Sequence, residues 1–514
     1  MRDFTLTALD TVSIQDYIFN SNDLQHIIGA SYLVHQATHG WAFQALRQLH
    51  LTNLGDADKI LDDRRIEDGG LEGELIYSGG GNCVILFADS SLAKAFVRRL
   101  SLRLLKEAPD LQLVAAHRDF NWDSASLAEE VQTVLGQVSQ RKLDRIHSTP
   151  RMGLGVTANC QYTGLPAIGM DARGERRISA EVRAKEKALT DANRRLFKEV
   201  PDEYRNGRDF TFQFDDFGEE GQRYVAVVHI DGNNMSQRVR QLAGDPQCRN
   251  NRIYIQRMRA FSDSIELAAR QALQQTALRL TFLDRENSGK RLLFRPLVFG
   301  GDDSTLVCDG RFGISLAHAY LKYLGETPLT DGAPISARAG VAVVKTHFPF
   351  ARAYLLSEDL AASAREFLKS LPGEAGNRLS AMDWHFASSG PVLRLKEIRA
   401  REYTCPEGSL TMRPVLVEPD PPWRTWQQFS QATQTFKEGR NWKDRKNHVL
   451  ALREQLRLGA EATRQYRKLH KLPDLPGVGE NASSLETGWV GKICACFDPI
   501  EAMDFYADLE GGAG

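Results

Sequence analysis

The sequence predicts an α+β protein: two ferredoxin-like domains in tandem, the first a degenerate copy of the second, followed by a mainly helical C-terminal domain. Three observations carry this. Apolar, β-branched runs alternate with stretches of three- and four-residue apolar spacing in the order β-α-β-β-α-β-α. Landmarks of that order occur twice at one interval. After about residue 380 the strand-like runs give way to basic helical ones. The boundaries are drawn at 1–205, 206–380 and 381–514, and 514 residues suffice for about three cores.

In the second copy RYVAVVHID (223–231) reads as a buried strand ending in an aspartate. NRIYIQRMRAFSDSIELAARQALQQTAL then carries helical spacing. RPLVFGG (295–301) and STLVCDG (304–310) form a hairpin joined by Asp302 and Asp303. FGISLAHAYLKYL is the next helix, ISARAGVAVV (335–344) the next strand and AYLLSEDLAASAREFLKSL the closing helix, a palm-type sheet with helices on one face. His229, close to Asp231, is expected to face away from the strand's functional side.

The first copy repeats the landmarks. LTALDTVSIQDYIF (6–19) parallels VVHIDGNNMSQRV, and LIYSGGGNCVILF (75–87) parallels LVFGGDDSTLVC. Sixty-nine residues separate Asp231 from Gly300, and sixty-nine separate Asp10 from Gly79. MGLGVTANC followed by ISAEVRAKEKAL is taken as the third landmark, matching ARAGVAVVK and LLSEDLAASARE. Where the second copy has Asp302 and Asp303 the first has Gly81 and Asn82, so Asp10 stands without carboxylate partners. Past residue 380, GSLTMRPVLVEP reads as a β segment, and TWQQFSQATQTF and KNHVLALREQLRLGAEATRQYRKLHKL as basic helices. These present a solvated face or, alternatively, dock RNA or a partner. The tail VGKICACFDPIEAMDFYADL is expected to pack back onto the body.

Composition bounds the function classes. The chain is 42% hydrophobic and 25% charged, and 65 basic residues nearly balance 66 acidic ones, which excludes nucleic-acid binding through global charge. Seven scattered cysteines without a CxxC pair predict reduced thiols. No apolar leader segment opens the sequence and no uncharged apolar run reaches about 18 residues, so a cytoplasmic protein without membrane contact is expected. P-loop, HExxH and HD signatures are missing, and the triplet Gly79–Gly81 joins two strands rather than opening a helix, which excludes a dinucleotide fingerprint.

Gly-Gly-Asp-Asp is by itself good turn chemistry. Its flanks here are strongly apolar, however, and in this topology the strand ending at Asp231 lies beside the hairpin. Three carboxylates then meet at one edge, where each pair at ~4 Å costs ~1 kcal/mol in bulk water and about 4 near a protein surface. A hard divalent cation, Mg²⁺ or Mn²⁺, turns that repulsion into binding, and two such ions serve nucleotidyl transfer. The predicted catalytic residues are Asp231, Asp302 and Asp303, with Gly232 beside them as a further metal contact. Gly232, Asn233, Asn234, Gly300, Gly301 and Ser304 form the nucleotide-binding set, because glycines admit a ligand to the backbone and the turn at 232–236 opens a helix whose free N–H groups suit a triphosphate. Each asparagine could instead simply cap that helix.

FGGDD with its preceding strand aspartate, the degenerate SGGGN and DTVSIQDYIFNSNDLQHIIGAS together resemble the large polymerase/cyclase-like subunit of type III CRISPR effector complexes, over residues 5–380 and more loosely beyond. More distantly the chain resembles GGDEF-type nucleotide cyclases. The resemblance implies two palms facing each other with nucleotides between them, condensing ATP into cyclic oligoadenylate messengers for antiviral defence. It assigns the metal-binding carboxylates to Asp231, Asp302 and Asp303 and a second nucleotide pocket to Gly79, Gly80, Gly81 and Asn82. The chain looks like a shortened member, because the palm pattern begins within ten residues of Met1, where relatives carry an HD nuclease domain. The zinc element between palms is missing, and Asn233 stands where relatives often have an acid. Implied partners are nucleoside triphosphates, other effector subunits and guide or target RNA through the C-terminal region, or a second copy if the chain is self-standing. The alternative is a non-catalytic scaffold subunit that binds RNA or nucleotide; a templated polymerase ranks last, for want of fingers and thumb.

Overall fold

Two sheets of matching strand order frame the chain, of which the computed structural model describes residues 2–79, 81–144, 155–218, 223–283, 291–373, 375–387, 394–419, 423–477 and 482–509. The first sheet holds β1 (Asp3–Val12), β2 (Gly73–Gly79), β3 (Asn82–Phe87) and β4 (Gln112–Asn121) in the order β2-β3-β1-β4, antiparallel throughout. The second holds β5 (Tyr224–Gly232), β6 (Phe294–Val298), β7 (Ser304–Asp309), β8 (Ala337–Lys345), β9 (Ala381–Ala387) and β10 (Val415–Leu416) in the order β6-β7-β5-β8-β9-β10. The first four strands of each sheet correspond one to one. Register agrees as well: Asp10 lies opposite Asn82, and Ile230 opposite Ser304, which sets Asp303 beside Asp231 one step further out.

Helices α1 (Leu24–Thr38), α2 (Ser90–Glu107) and α3 (Leu127–Leu143) belong to the first copy, and α4 (Ala180–Glu199) follows them. Their starts are written locally. Asp23 accepts from the Gln25 N–H at 2.9 Å, Asp89 from the Ser91 and Leu92 N–H groups at 2.7 and 3.0 Å, and Ser179 from Val182 at 3.3 Å. The second copy carries α5 (Met235–Ala243), α6 (Asn251–Leu283), α7 (Gly313–Leu324) and α8 (Phe350–Lys369). Beyond it lie α9 (Trp426–Glu438), α10 (Lys446–Leu458) and α11 (Ala460–Leu469), the last two parted by Gly459 at φ +106°. The tail packs back as expected, burying Phe497, Ile500 and Met503 with Trp442 and Leu452. No helix among the described residues is long and apolar enough to cross a membrane.

Two sequence expectations are corrected. The first-copy partner of β8 is β4, and the partner of α8 is α3; both lie upstream of the stretch chosen as the third landmark. Residues 152–154 of that stretch fall outside the described residues, and 180–199 form α4. The cause is legible: β4 is a half-exposed edge strand whose His117, Arg118 and Asp119 break the apolar run. The boundary at 380 also moves, because β9 starts at Ala381 and continues the second sheet, parallel to β8. The buried Asp383 of that strand is paired with Arg399 at 2.6 Å.

Each sheet is covered on both faces, and the copies cover each other. On one face of the second sheet Ala226, Val228, Ile230 and Leu306 pack under α6 and α7, close enough that a Cβ on Gly313 would sit 2.2 Å from the Ala226 Cβ. The opposite face meets α8 and the α1 of the other copy: Val225, Val227, Leu297 and Val307 share a core with Ile27, Ile28 and Leu33. The first sheet reciprocates. Leu6, Ala8, Val84 and Leu86 share a core with Tyr254, Ile255 and Met258 of α6. Arg259 of α6 seals this contact, reaching Glu74 of β2 at 2.8 Å, Asp62 at 2.7 Å and the Ile76 carbonyl at 3.1 Å.

The tightest point is Gly340 in β8, where a Cβ would lie 1.9 Å from the Ser357 carbonyl and 2.5 Å from the Ala361 nitrogen of α8. Gly340→Ala should therefore lower unfolding stability by about 2 kcal/mol or more, read as an earlier chemical-denaturation midpoint.

Candidate functional site

Asp231 closes β5, and Asp302 and Asp303 occupy the β6–β7 turn beside it. One carboxylate oxygen from each lies within 4.8 Å of the others, and among the described residues this is the only such trio of metal-type ligands. The backbone is built for the approach. The Gly232 N–H donates to the Asp302 carbonyl at 3.2 Å, and a Cβ on Gly232 would lie 2.8 Å from the Asp302 Cβ. Gly300 takes φ +111°, while a Cβ on Gly301 would meet open space.

The trio is electrostatically crowded. Burial, and then the Asp231 and Asp302 charges, push Asp303 up to about 8. Its surface stays open to the cleft, although protein surrounds it on the other sides. Asp302 is also raised, chiefly by burial and further by Asp231. A single guanidinium opposes the three acids. Arg338, opposite Asp231 in the ladder, is ion-paired with it and donates to the Gly232 carbonyl at 3.2 Å and to Asn233 Oδ1 at 3.1 Å. Three clustered hard oxygens, with Asp302 and Asp303 raised chiefly by burial, fit Mg²⁺ or Mn²⁺.

The degenerate copy neutralises its lone acid differently: Lys142 of α3 bonds Asp10 at 2.6 Å. Burial raises Asp10 and the lysine opposes the rise. Without acids at 81 and 82 that end holds no cation cluster.

A cleft of ≈ 1040 Å³ joins the two ends. Gly79 and Gly81 line it from the first copy, Gly300, Gly301, Asp302 and Asp303 from the second. Gly80 lies outside the described residues. The other predicted contacts are placed less favourably. Ser304 faces the opposite side of the sheet: it sits opposite Ile230 and its hydroxyl bonds Tyr320 at 2.8 Å, only 1% exposed. Strand alternation gives its place in the cleft to Thr305. Asn233 spends its side chain on Leu379 and Arg338, and Asn234 bonds Asn377 at 3.0 Å; neither side chain caps α5. Asn82 buries its Oδ1 without a hydrogen-bond partner. His229, expected to face away, lines the cleft, since residues two apart on a strand share a face; burial pushes it down to about 4.

Sequence reasoning missed the basic part of the lining. Lys142, Arg194, Arg195 and Lys198 line the cleft, as do His35 and His39 from the end of α1. Cations on an amphipathic helix look like any solvated face, so only the pairing of α4 with the second hairpin could have singled them out.

No protein-family model and no curated protein matches the sequence. Solved structures do match. A Csm1–Csm4 cassette in complex with cA4 superposes with a TM-score of 0.54 at 13% identity, over 98% of this chain and 70% of that one. The cassette in complex with AMPPNP gives 0.52 at 14% identity, over 98% and 70%. Csm1 in T. onnurineus gives 0.51 at 12%, over 99% and 70%. The chain thus has the mixed α+β fold of Csm1, the large type III CRISPR subunit.

If the trio binds metal, millimolar Mn²⁺ should raise the unfolding temperature of the full chain. Asp303→Asn should raise the metal-free stability by about 1 kcal/mol and abolish most of the Mn²⁺-dependent gain in the same thermal scan.

Proposed function

We propose that this chain is a metal-dependent nucleotidyltransferase that condenses nucleoside triphosphates, ATP favoured, into cyclic oligonucleotide messengers, as the large subunit of a type III CRISPR-like effector in antiviral defence. The observation that carries the reading is one cleft lined at one turn by Asp302 and Asp303, with Asp231 beside them, and at the other by a carboxylate-free glycine turn. Its volume exceeds that of a typical single-ligand pocket, so two nucleotides can lie side by side. The fold neighbours support it at a distance, having been solved with AMPPNP, with one ATP and with cA4.

In this reading Asp231, Asp302 and Asp303 hold the cation, with the Gly232 carbonyl beside them. When bound, Mg²⁺ or Mn²⁺ neutralises the triphosphate and lowers the pKa of the attacking hydroxyl. Gly300 and Gly301 let one nucleotide lie against the backbone of the second copy, and Gly79 and Gly81 seat the other. Alignment then sets a ribose hydroxyl of one nucleotide in line with the α-phosphate of its neighbour. The new O–Pα bond forms as the hydroxyl proton passes to solvent and the Pα–O bond to the β-phosphate breaks, and pyrophosphate leaves with the electron pair. Ring closure repeats the step within one chain. The C-terminal helices are left to dock a Csm4-like subunit or RNA.

The alternative, a scaffold that binds nucleotide or RNA without turnover, draws on the ion pair between Arg338 and Asp231, which must open or be shared before Asp231 can hold a cation. Incubating the full chain with each nucleoside triphosphate and Mn²⁺, then weighing the products, separates the two. Pyrophosphate and a phosphatase-resistant cyclic product are expected, falling at least a hundredfold in Asp302→Asn/Asp303→Asn; unchanged turnover in that variant would sink the assignment.

A further inference from the structure

Arg195 stands apart from the other enclosed arginines. Arg259 is met by Glu74 and Asp62, Arg413 by Glu501 at 3.0 Å, and Arg295 by the Thr211 carbonyl at 2.9 Å and Asn193 at 3.1 Å. Arg195 makes no hydrogen bond or ion pair among the described residues. Its guanidinium carbon lies 4.4 Å from the ring centroid of Phe299, the residue that opens the FGGDD turn. A Cβ on Gly300 would be 3.5 Å from its Nη2. The nearest acids are already committed, because Arg270 takes both Glu199 at 2.8 Å and Glu266 at 2.7 Å.

A largely enclosed guanidinium without a bonded partner is an electrostatic liability: burial lowers its pKa, and the more distant charges of Glu199 and Glu266 oppose the fall. The neighbouring imidazoles of His35 and His39 are held neutral by burial, so they neither compete for an anion nor supply one. What would compensate the charge is an anion arriving through the cleft. The planar fork, held flat by the Phe299 ring, suits phosphate oxygens. Lys198, one turn further along α4, lines the same wall and adds a second cation.

We infer that Arg195 is the polyphosphate clamp of the cleft: α4, which follows the degenerate copy, reaches across to bind the phosphates of the nucleotide seated on the Gly300–Asp303 turn. The inference rests on the proposed reading of the cleft as a nucleoside triphosphate site. It assigns positive charge to the Phe299–Gly300 side of the acidic turn, which carries none of its own.

The test uses the full chain, in EDTA and in Mn²⁺, with ATP, AMP, adenosine and inorganic tripolyphosphate as probes of binding by calorimetry. Arg195→Met keeps the apolar stem on Phe299 and deletes the charge; Arg195→Gln serves the same comparison should the first variant fold poorly. ATP and tripolyphosphate affinity should fall roughly ten- to a hundredfold, while adenosine affinity stays unchanged. The ligand-free variant should unfold at the same or a higher temperature, which loss of a structural arginine would not give. ATP binding equal to wild type in both variants would overturn the clamp. Tripolyphosphate binding that depends on Arg195, in a protein that ignores every nucleoside triphosphate, would uphold the clamp and remove the nucleotide reading instead.

Discussion

The structure depends on a reciprocal exchange of helices. Each copy sends its first long helix across to cover the open face of the other copy's sheet, α1 onto the second and α6 onto the first. Each sheet shares one face with the other copy: β5 and β7 are buried on both sides, and so are β1 and β3 over most of their length. The two cores therefore form together, and the hairpins arrive at the same end of one cleft as a consequence of that packing. The Arg259 contacts with Glu74 and Asp62 and the Ser31 bond to the Leu297 carbonyl pin the two crossings at equivalent places.

This explains how an acidic trio can be maintained. The turn carrying Asp302 and Asp303 rises from strands buried on both faces, so it cannot drift away from Asp231 to relieve repulsion. Gly232 removes the one Cβ that would have held the two segments apart. Arg338 relieves part of the charge from within the same sheet, and the repulsion that remains is what a hard cation would relieve on the proposed reading. In the degenerate copy the same geometry is kept, but Lys142 closes the account of Asp10 and nothing is left over.

Much of this was legible in residues alone. The interval of sixty-nine between strand aspartate and hairpin glycine appears in the structure as identical register in β1–β3 and β5–β7, because a repeat of buried strands leaves an apolar imprint. Where imprint is weak, reading failed. The half-exposed β4 was passed over for a later stretch whose described residues, from 155 on, take no place in the first sheet. Asp383 hid a strand that Arg399 makes possible. Ser304 and His229 were misjudged by a single step of alternation, which the ladder settles at once. Arg195 was beyond reach, since its meaning lies in what it lacks, and an absent partner leaves no mark in a sequence.

The carboxylate-free turn facing the trio gives the cleft a polarity. Two matched walls would let bound nucleotides exchange roles, so that either could attack the other. In the proposed reading, with the acidic trio at one turn only, attack would run in one sense, and a growing product would shift by one unit before the next addition. On that reading the unequal copies would make a directional site from a nearly symmetric one, and product length would be a contest between that shift and release.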